Sequence, residues 1–391
     1  MMQLKDEYRE RWRQLQEGMA TAGADGCLVS TVVNWFYLTG RVMSGFAYLP
    51  AEGEPWFFIK RPVNEQGEHI RYIRKPEDIP ALIREVGIPL PETLLLEADE
   101  LPYREYVRLE GIFHPKATGN ATTLFHAARR IKTDYELTLF RLGGKAHTLA
   151  YQSIPDLFTP GMKETELQWE IERVMRRCGC MGLIRTFGTS MEIFMGSVLA
   201  GDNAEAPSPY DFALGGGGVD FSLPIGGNGT NIEKGMTVMV DIGGTVTPYI
   251  TDMTRVFSYG RLPEEAYRAH QVSIDIQSVV SELAIPGAVC SELYDVAVRI
   301  ASKEGLEDFF MGTKQKAQFI GHGIGLQLNE GPILSHRSKD ILEKGMVFAL
   351  EPKFVLPEIG AVGIENSFIV HEHGLEKITT AEEQILPFLE T

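Results

Sequence analysis

Two stretches of this sequence share a pattern: NIEKGMTVMVDIGG at 231–244 and ILEKGMVFALEPKF at 341–354. Each passes from an apolar residue through Glu-Lys-Gly-Met into alternating, strand-like sequence, and five residues beyond each methionine stands a carboxylate, Asp241 or Glu351. Strands disfavour Asp, and a bare buried carboxylate is costly, so an acid at the same point of two apolar strands calls for a cation between them. Each copy is followed by a further acid on an extended segment, Asp252 in ITDMTRVFS and Glu365 in AVGIENSFIV. His322, framed by glycines in GHGIGL, adds an imidazole with room to reach a metal. Four carboxylates and one imidazole form an oxygen-rich set suited to Mn²⁺, Fe²⁺ or Co²⁺ rather than to a cysteine-type structural zinc site. Their four negative charges balance two divalent ions, a centre able to activate water.

The repeat implies two related half-domains that must bring these acids together. In the second part of the chain, Thr165 and Gln168 form a capping-box pattern for a helix reaching about residue 177, with Leu167, Ile171, Val174 and Met175 on its apolar face. Ser291 is read as the cap of another helix, which Gly305 ends, and Pro263 opens a third. Upstream, Tyr8, Trp12, Leu15 and Met19 recur at helical spacing, and strands are predicted at 27–29 and 55–60. This alternating α/β start and a helix pattern beginning near Lys132 put a domain boundary at 128/129.

The chain has 391 residues and a formal net charge of −16, unevenly divided: −2 over residues 1–130 and −14 over the rest. Such a charge repels phosphate backbones and anionic membranes, which argues against nucleic-acid and membrane partners. The charged N-terminal sequence and the lack of any long apolar run predict a cytoplasmic protein. Cys27, Cys178, Cys180 and Cys290 are too few and too irregular for a disulfide framework, and are read as buried thiols. The glycine run at 215–218, with Gly226, Gly227 and Gly229, lacks the Lys-Ser or Lys-Thr of a phosphate loop and is read as turns or a mobile loop near the substrate entrance.

These motifs resemble the pita-bread metallopeptidases: prolidase, aminopeptidase P and methionine aminopeptidase, with creatinase as a metal-free relative. The likeness covers nearly the whole chain, including the YLTG segment of the N-terminal part. It implies a creatinase-type α/β domain over 1–128 and an α+β pita-bread domain with two pseudo-symmetric halves over 129–391. By motif it assigns the metal ligands to Asp241, Asp252, His322, Glu351 and Glu365. It also implies two divalent ions drawn from Mn, Fe, Co or Zn, manganese first. A hydroxide bridging them would attack the scissile amide of a small peptide, while Glu351 relays the proton. A homodimer is implied as well, with residues 35–38 helping to close a neighbouring pocket.

Five positions depart from the resemblance. Histidines that surround the substrate in prolidase-like members are replaced by Ser208, Gln318 and Asn329, which can donate hydrogen bonds but cannot carry a proton near neutral pH. The usual Arg-Ile-Glu-Asp around the last ligand reads Gly363-Ile364-Glu365-Asn366, which weakens any grip on a substrate carboxylate. Arg255 and Glu330 are charged candidates for orienting groups nearby. The leading expectation is a metal-dependent peptidase or amidohydrolase. Two others stand beside it: a hydrolase of a non-peptide C–N bond or a lyase on the same centre, and a catalytically silent peptide-binding module.

Overall fold

The computed structural model describes residues 2–189 and 191–389. The chain divides into two units, one ending at Arg129 and one beginning at Arg130.

In the first unit the apolar runs build a six-stranded mixed sheet. Gly26–Val29 lies in its middle, antiparallel to Ser44–Pro50 and parallel to Thr93–Leu96. Trp56–Arg61 and Ile70–Tyr72 extend one side, and Ala117–Asn120 ends the other. Leu28, Phe46, Phe58, Leu94 and Leu96 meet Leu109 and Phe113 of the Tyr103–Phe113 helix in a single core. The YLTG segment closes the Val32–Thr39 helix, where Gly40 takes the left-handed conformation that a side chain would strain. Trp35, Tyr37 and Leu38 are buried within their own unit. Of residues 35–38, expected to help close a neighbouring pocket, Phe36 alone keeps partly exposed surface.

The second unit holds two antiparallel sheets. One runs Gly196–Ala200, Thr237–Gly244, Thr251–Ser258, with the short Leu386–Pro387 strand pairing parallel at its edge. The other is ordered Glu330–Ser335, Phe319–Gly323, Val347–Leu350, Asn366–His371, Gly374–Lys377. The hairpin Lys353–Leu356 with Gly360–Gly363 lies between their chain segments, and a bridge from Thr254 to Glu365 stitches one sheet to the other. The helices Asp134–Tyr151 and Glu164–Arg177 supply one core, and Glu264–Leu283 with Cys290–Lys303 supply the other. Strands covered on both faces read as continuous apolar runs; every residue of Thr237–Gly244 except Asp241 is buried. The two copies of the repeat therefore occupy a central strand in each sheet.

Local signals fared unevenly. The Glu166 carboxylate accepts the Lys163 N–H at 2.8 Å, so the cap of the Glu164–Arg177 helix sits two residues before the Thr165–Gln168 pattern. The Cys290–Lys303 helix starts from Val289 with no side-chain cap, two residues ahead of Ser291. All four cysteines are free, but Cys178 is only half-buried. Around the glycine run, Gly218 N–H donates to the Gly226 carbonyl and Gly226 N–H to the Gly215 carbonyl, which ties the run to the Gly226 segment across the intervening loop. No helix among the described residues is long and apolar enough to cross a membrane.

Candidate metal centre

The five proposed ligands converge from three strands and from two segments that follow strands. Asp241 sits within Thr237–Gly244 and Asp252 on the adjacent antiparallel strand, where Gly243 faces it. Glu351 follows directly on Val347–Leu350, and Glu365 lies between the Gly360–Gly363 and Asn366–His371 strands. His322 stands in Phe319–Gly323, opposite Ala349. The glycines beside His322 have a different reason from the one expected. A Cβ on Gly321 would lie 2.3 Å from the Ala349 carbonyl oxygen, and one on Gly323 would lie 2.0 Å from that of Gly331. Neighbouring strands, rather than a metal, need that space.

Asp252, Glu351 and Glu365 are buried, whereas Asp241 and His322 are partly accessible. Two groups of three ligand atoms each lie within 4.8 Å of one another: Asp252, His322 and Glu365, and Asp241, Glu351 and Glu365. His322 Nε2 is 3.5 Å from Glu351 Oε1 and 3.9 Å from Asp252 Oδ2. Its Nδ1 is 3.3 Å from the Gly323 carbonyl, which favours a proton there and leaves Nε2 as a lone-pair donor turned to the acids. Burial, and then the charges of Asp241 and Glu351, push the Asp252 carboxyl well above its ordinary value; burial and then Asp252 and Glu351 do the same to Glu365. Crowded acids of this kind need positive charge.

Part of that charge comes from a residue the sequence reading passed over. Lys353 Nζ donates to Asp241 Oδ2 at 2.8 Å and to Glu351 Oε2 at 2.6 Å, and lies 3.6 Å from Glu365 Oε2. Burial alone would lower its pKa, yet Asp241, Glu351 and Glu365 together hold the ammonium well above the ordinary amine value. The two candidate cation positions are thus unlike. The Asp252–His322–Glu365 group has the donors a divalent ion requires and no internal cation among them, so it fits. The Asp241–Glu351–Glu365 group surrounds an ammonium.

Other groups position the ligands. The Glu264–Leu283 helix carries a polar stripe of His270, Ser273 and Gln277 in an otherwise buried face. Ser273 Oγ donates to the Pro352 carbonyl and accepts from Ile364 N–H, while Gln277 Nε2 donates to the Leu350 carbonyl and its Oε1 accepts from Asn366. One helix face therefore grips the backbone on both sides of Glu351 and beside Glu365. Arg255 donates to the Glu365 carbonyl and to Asn366 Oδ1, and Thr254 Oγ1 donates to Glu365 Oε2 at 2.7 Å. Asn366 makes four hydrogen bonds, so an amide serves where the family pattern has a carboxylate. Arg255 is a positioning group, buried away from the cavity.

His270 also yields a pH expectation. It accepts the Gly363 N–H and donates to the Glu383 carbonyl, and burial pulls its pKa from 6.5 down to about 4. The unfolded chain therefore takes up this proton first, and stability present above pH 6.5 is lost as the pH falls toward 4. His270→Gln should flatten the dependence of unfolding free energy on pH by about 1.4 kcal/mol per unit between about pH 6 and pH 5. Urea denaturation across that window measures it; an unchanged slope means His270 is charged in the fold.

A cavity of about 300 Å³ opens above the ligands. Its walls are largely apolar, with Phe187, Ile193, Phe212, Leu214, Phe319 and Leu328, and its floor carries all five ligands. Of the three polar candidates, Asn329 alone lines this cavity, and both ends of its amide are bound to the Phe187 backbone. Ser208 is turned to Pro224 and Tyr210, and Gln318 is exposed with its amide on Lys316. Glu330 does line the cavity, with Lys132 Nζ 3.6 Å behind it.

Comparison with known proteins agrees with this geometry. Residues 138–372 match metallopeptidase family M24, and residues 11–131 match the creatinase/prolidase N-terminal domain. The Xaa-Pro dipeptidase of Pyrococcus furiosus is 24% identical over 385 residues, covering 97% of this chain and 100% of that protein. The fold is that of the Xaa-Pro dipeptidase from Bacillus anthracis, with a TM-score of 0.80 at 23% identity over 97% and 99% of the two chains. It is also that of aminopeptidase P from E. coli, with a TM-score of 0.73 at 16% identity over 97% and 96%. A family match over more than half of its length, on a frame that gathers four acids and a histidine, shows that the chain belongs to metallopeptidase family M24, in the pita-bread form preceded by a creatinase/prolidase N-terminal domain.

Proposed function

We propose that the protein is a metal-dependent hydrolase of the Xaa-Pro peptidase type, with Asp252, His322 and Glu365 holding a divalent ion and Glu351 acting as its proton carrier. The observation that carries this reading is the convergence of those side chains, with Asp241, on the floor of a single apolar cavity. Manganese comes first among Mn, Fe, Co and Zn, because carboxylates dominate the donor set. When bound, such an ion polarises a carbonyl and makes water a nucleophile near neutral pH. The chain's own part is distinct. The apolar walls seat the substrate's side chains and limit water around the scissile bond. Glu351 takes the proton of the attacking water and returns it to the leaving nitrogen. The Ser273 and Gln277 bonds on either side of Glu351 fix its carboxylate for both transfers.

The cavity lining also bears on the substrate. Its charged members are acids and His322, and no Lys or Arg lines it among the described residues. A free α-amino group suits such a surface, whereas a C-terminal carboxylate finds no basic partner, which favours an aminopeptidase mode over strict dipeptide recognition. Amidating the C-terminus of an Xaa-Pro substrate should leave kcat/KM within about threefold, and acetylating its amine should lower it at least about tenfold, since each 1.4 kcal/mol is a factor of ten. The opposite ranking would restore a dipeptidase.

The decisive assay is metal removal. Chelator-treated protein should stop cleaving Xaa-Pro peptides and recover with Mn²⁺; full turnover without any ion would refute the reading, and turnover of modified amino acids alone would move it to a non-peptide C–N bond. A homodimer in the cytoplasm accords with the family resemblance and the acidic composition. Light scattering that returns the mass of a single chain would exclude the dimer.

A further inference from the structure

Lys353 is wholly buried, and its ammonium nitrogen meets all three acids of one candidate ion group, Asp241 at 2.8 Å, Glu351 at 2.6 Å and, at 3.6 Å, Glu365, which the two groups share. An ammonium offers three N–H donors and a compact positive charge, which is what three converging carboxylates require. A divalent ion in the same place would need the same oxygen lone pairs at about 2.1 Å, and would stand within a few ångströms of the ammonium. Two cations that close repel strongly in a low-dielectric site.

The local backbone is built around this side chain. Lys353 pairs across the hairpin with Gly363, which holds a φ of +142°. A Cβ on Gly363 would lie 2.8 Å from Lys353 Cα, 3.2 Å from its Cγ and 2.6 Å from the Pro352 carbonyl oxygen. Any side chain at 363 would push the lysine stem away from the acids. Ser273, bonded to the Pro352 carbonyl at 2.5 Å and to Ile364 N–H at 3.1 Å, ties the two strands together at that point.

We propose that Lys353 is the built-in occupant of the second cation position, so that each chain takes up one divalent ion, at Asp252, His322 and Glu365, beside a fixed ammonium. The inference rests on the reading of the centre as one that binds a divalent ion. Asp241 is then a partner of Lys353 first and of the metal second, and Glu351 works between an ion on one side and an ammonium on the other.

The test is stoichiometry on the full chain. Chelator-stripped protein is loaded with Mn²⁺, freed of excess by gel filtration and assayed for Mn per chain by plasma emission, with the electron paramagnetic resonance spectrum recorded alongside. The wild type should hold one Mn²⁺ and give the hyperfine pattern of an isolated ion. Lys353→Ala should hold two and give the pattern of a coupled pair, and Lys353→Ser serves in its place if the alanine variant does not fold. Two ions in the wild type overturn the role of Lys353 and leave the hydrolase reading intact. One ion in the wild type and still one in a folded variant also overturn it, because the vacated acids would then not form a metal position. A wild type that binds none sinks the hydrolase reading itself, and this inference with it.

Discussion

Glu351→Gln should reduce kcat on an Xaa-Pro peptide by about 10²- to 10⁴-fold, the size of a lost general acid–base step. The substitution changes almost nothing else. Gln is the same shape, its carbonyl oxygen can still accept from Lys353 Nζ where Glu351 Oε2 does at 2.6 Å, and the backbone anchors at Leu350 and Pro352 are untouched. None of the three polar candidates replaces the proton carrier: Asn329 is tied at both ends to Phe187, and Ser208 and Gln318 lie outside the cavity. Mn content and melting temperature of the variant, measured beside its turnover, separate a lost proton step from a lost ion. A variant that keeps its Mn and turns over within about threefold of the wild type would remove Glu351 from the mechanism, since a proton step is worth far more than that.

The convergence of the acids was legible because of repetition. An acid in an apolar strand is weak information once, and strong when the same motif sets Asp241 and Glu351 at the same distance from Glu-Lys-Gly-Met. Lys353 stood in that same motif and was passed over, although it sits two residues beyond Glu351 in an equally apolar stretch; the argument that made a buried acid suspicious applies to a buried lysine without change. The polar stripe of His270, Ser273 and Gln277 had a signal too, at spacings of three and four in a helix whose inward face is otherwise Ala, Val and Ile. What that stripe holds was not readable. The acceptors are backbone carbonyls of residues 73, 79 and 113 positions away, and backbone groups carry no sequence mark. Asn329 lies where its match puts it, on the cavity wall, but matching Ser208 and Gln318 to histidines presumes the loops carrying them keep their course, and bonds to Pro224 and Lys316 turn both away from the cavity.

Lys353→Met should cost the ion-free protein about 3–5 kcal/mol, the usual penalty for stripping one partner from a buried ionic cluster. The thioether fills much of the space of the stem, so packing is largely kept and the loss is electrostatic: Asp241, Glu351 and Glu365 are left facing one another without a counter-charge. The wild-type ammonium is fully buried and within 2.8 Å of two of these acids, which places it far from the surface pairs whose worth solvent erodes. At about 2–4 °C per kcal/mol for a unit of this size, the melting temperature in chelator should fall by roughly ten degrees. Saturating Mn²⁺ should then recover much more stability in Lys353→Met than in the wild type, because a bound cation supplies the charge the variant has lost. Paired melting curves with and without Mn²⁺ measure both effects at once. Equal melting temperatures for the two proteins in chelator would mean the three acids share protons rather than an ammonium, and that the lysine is a passenger in its own ion pair.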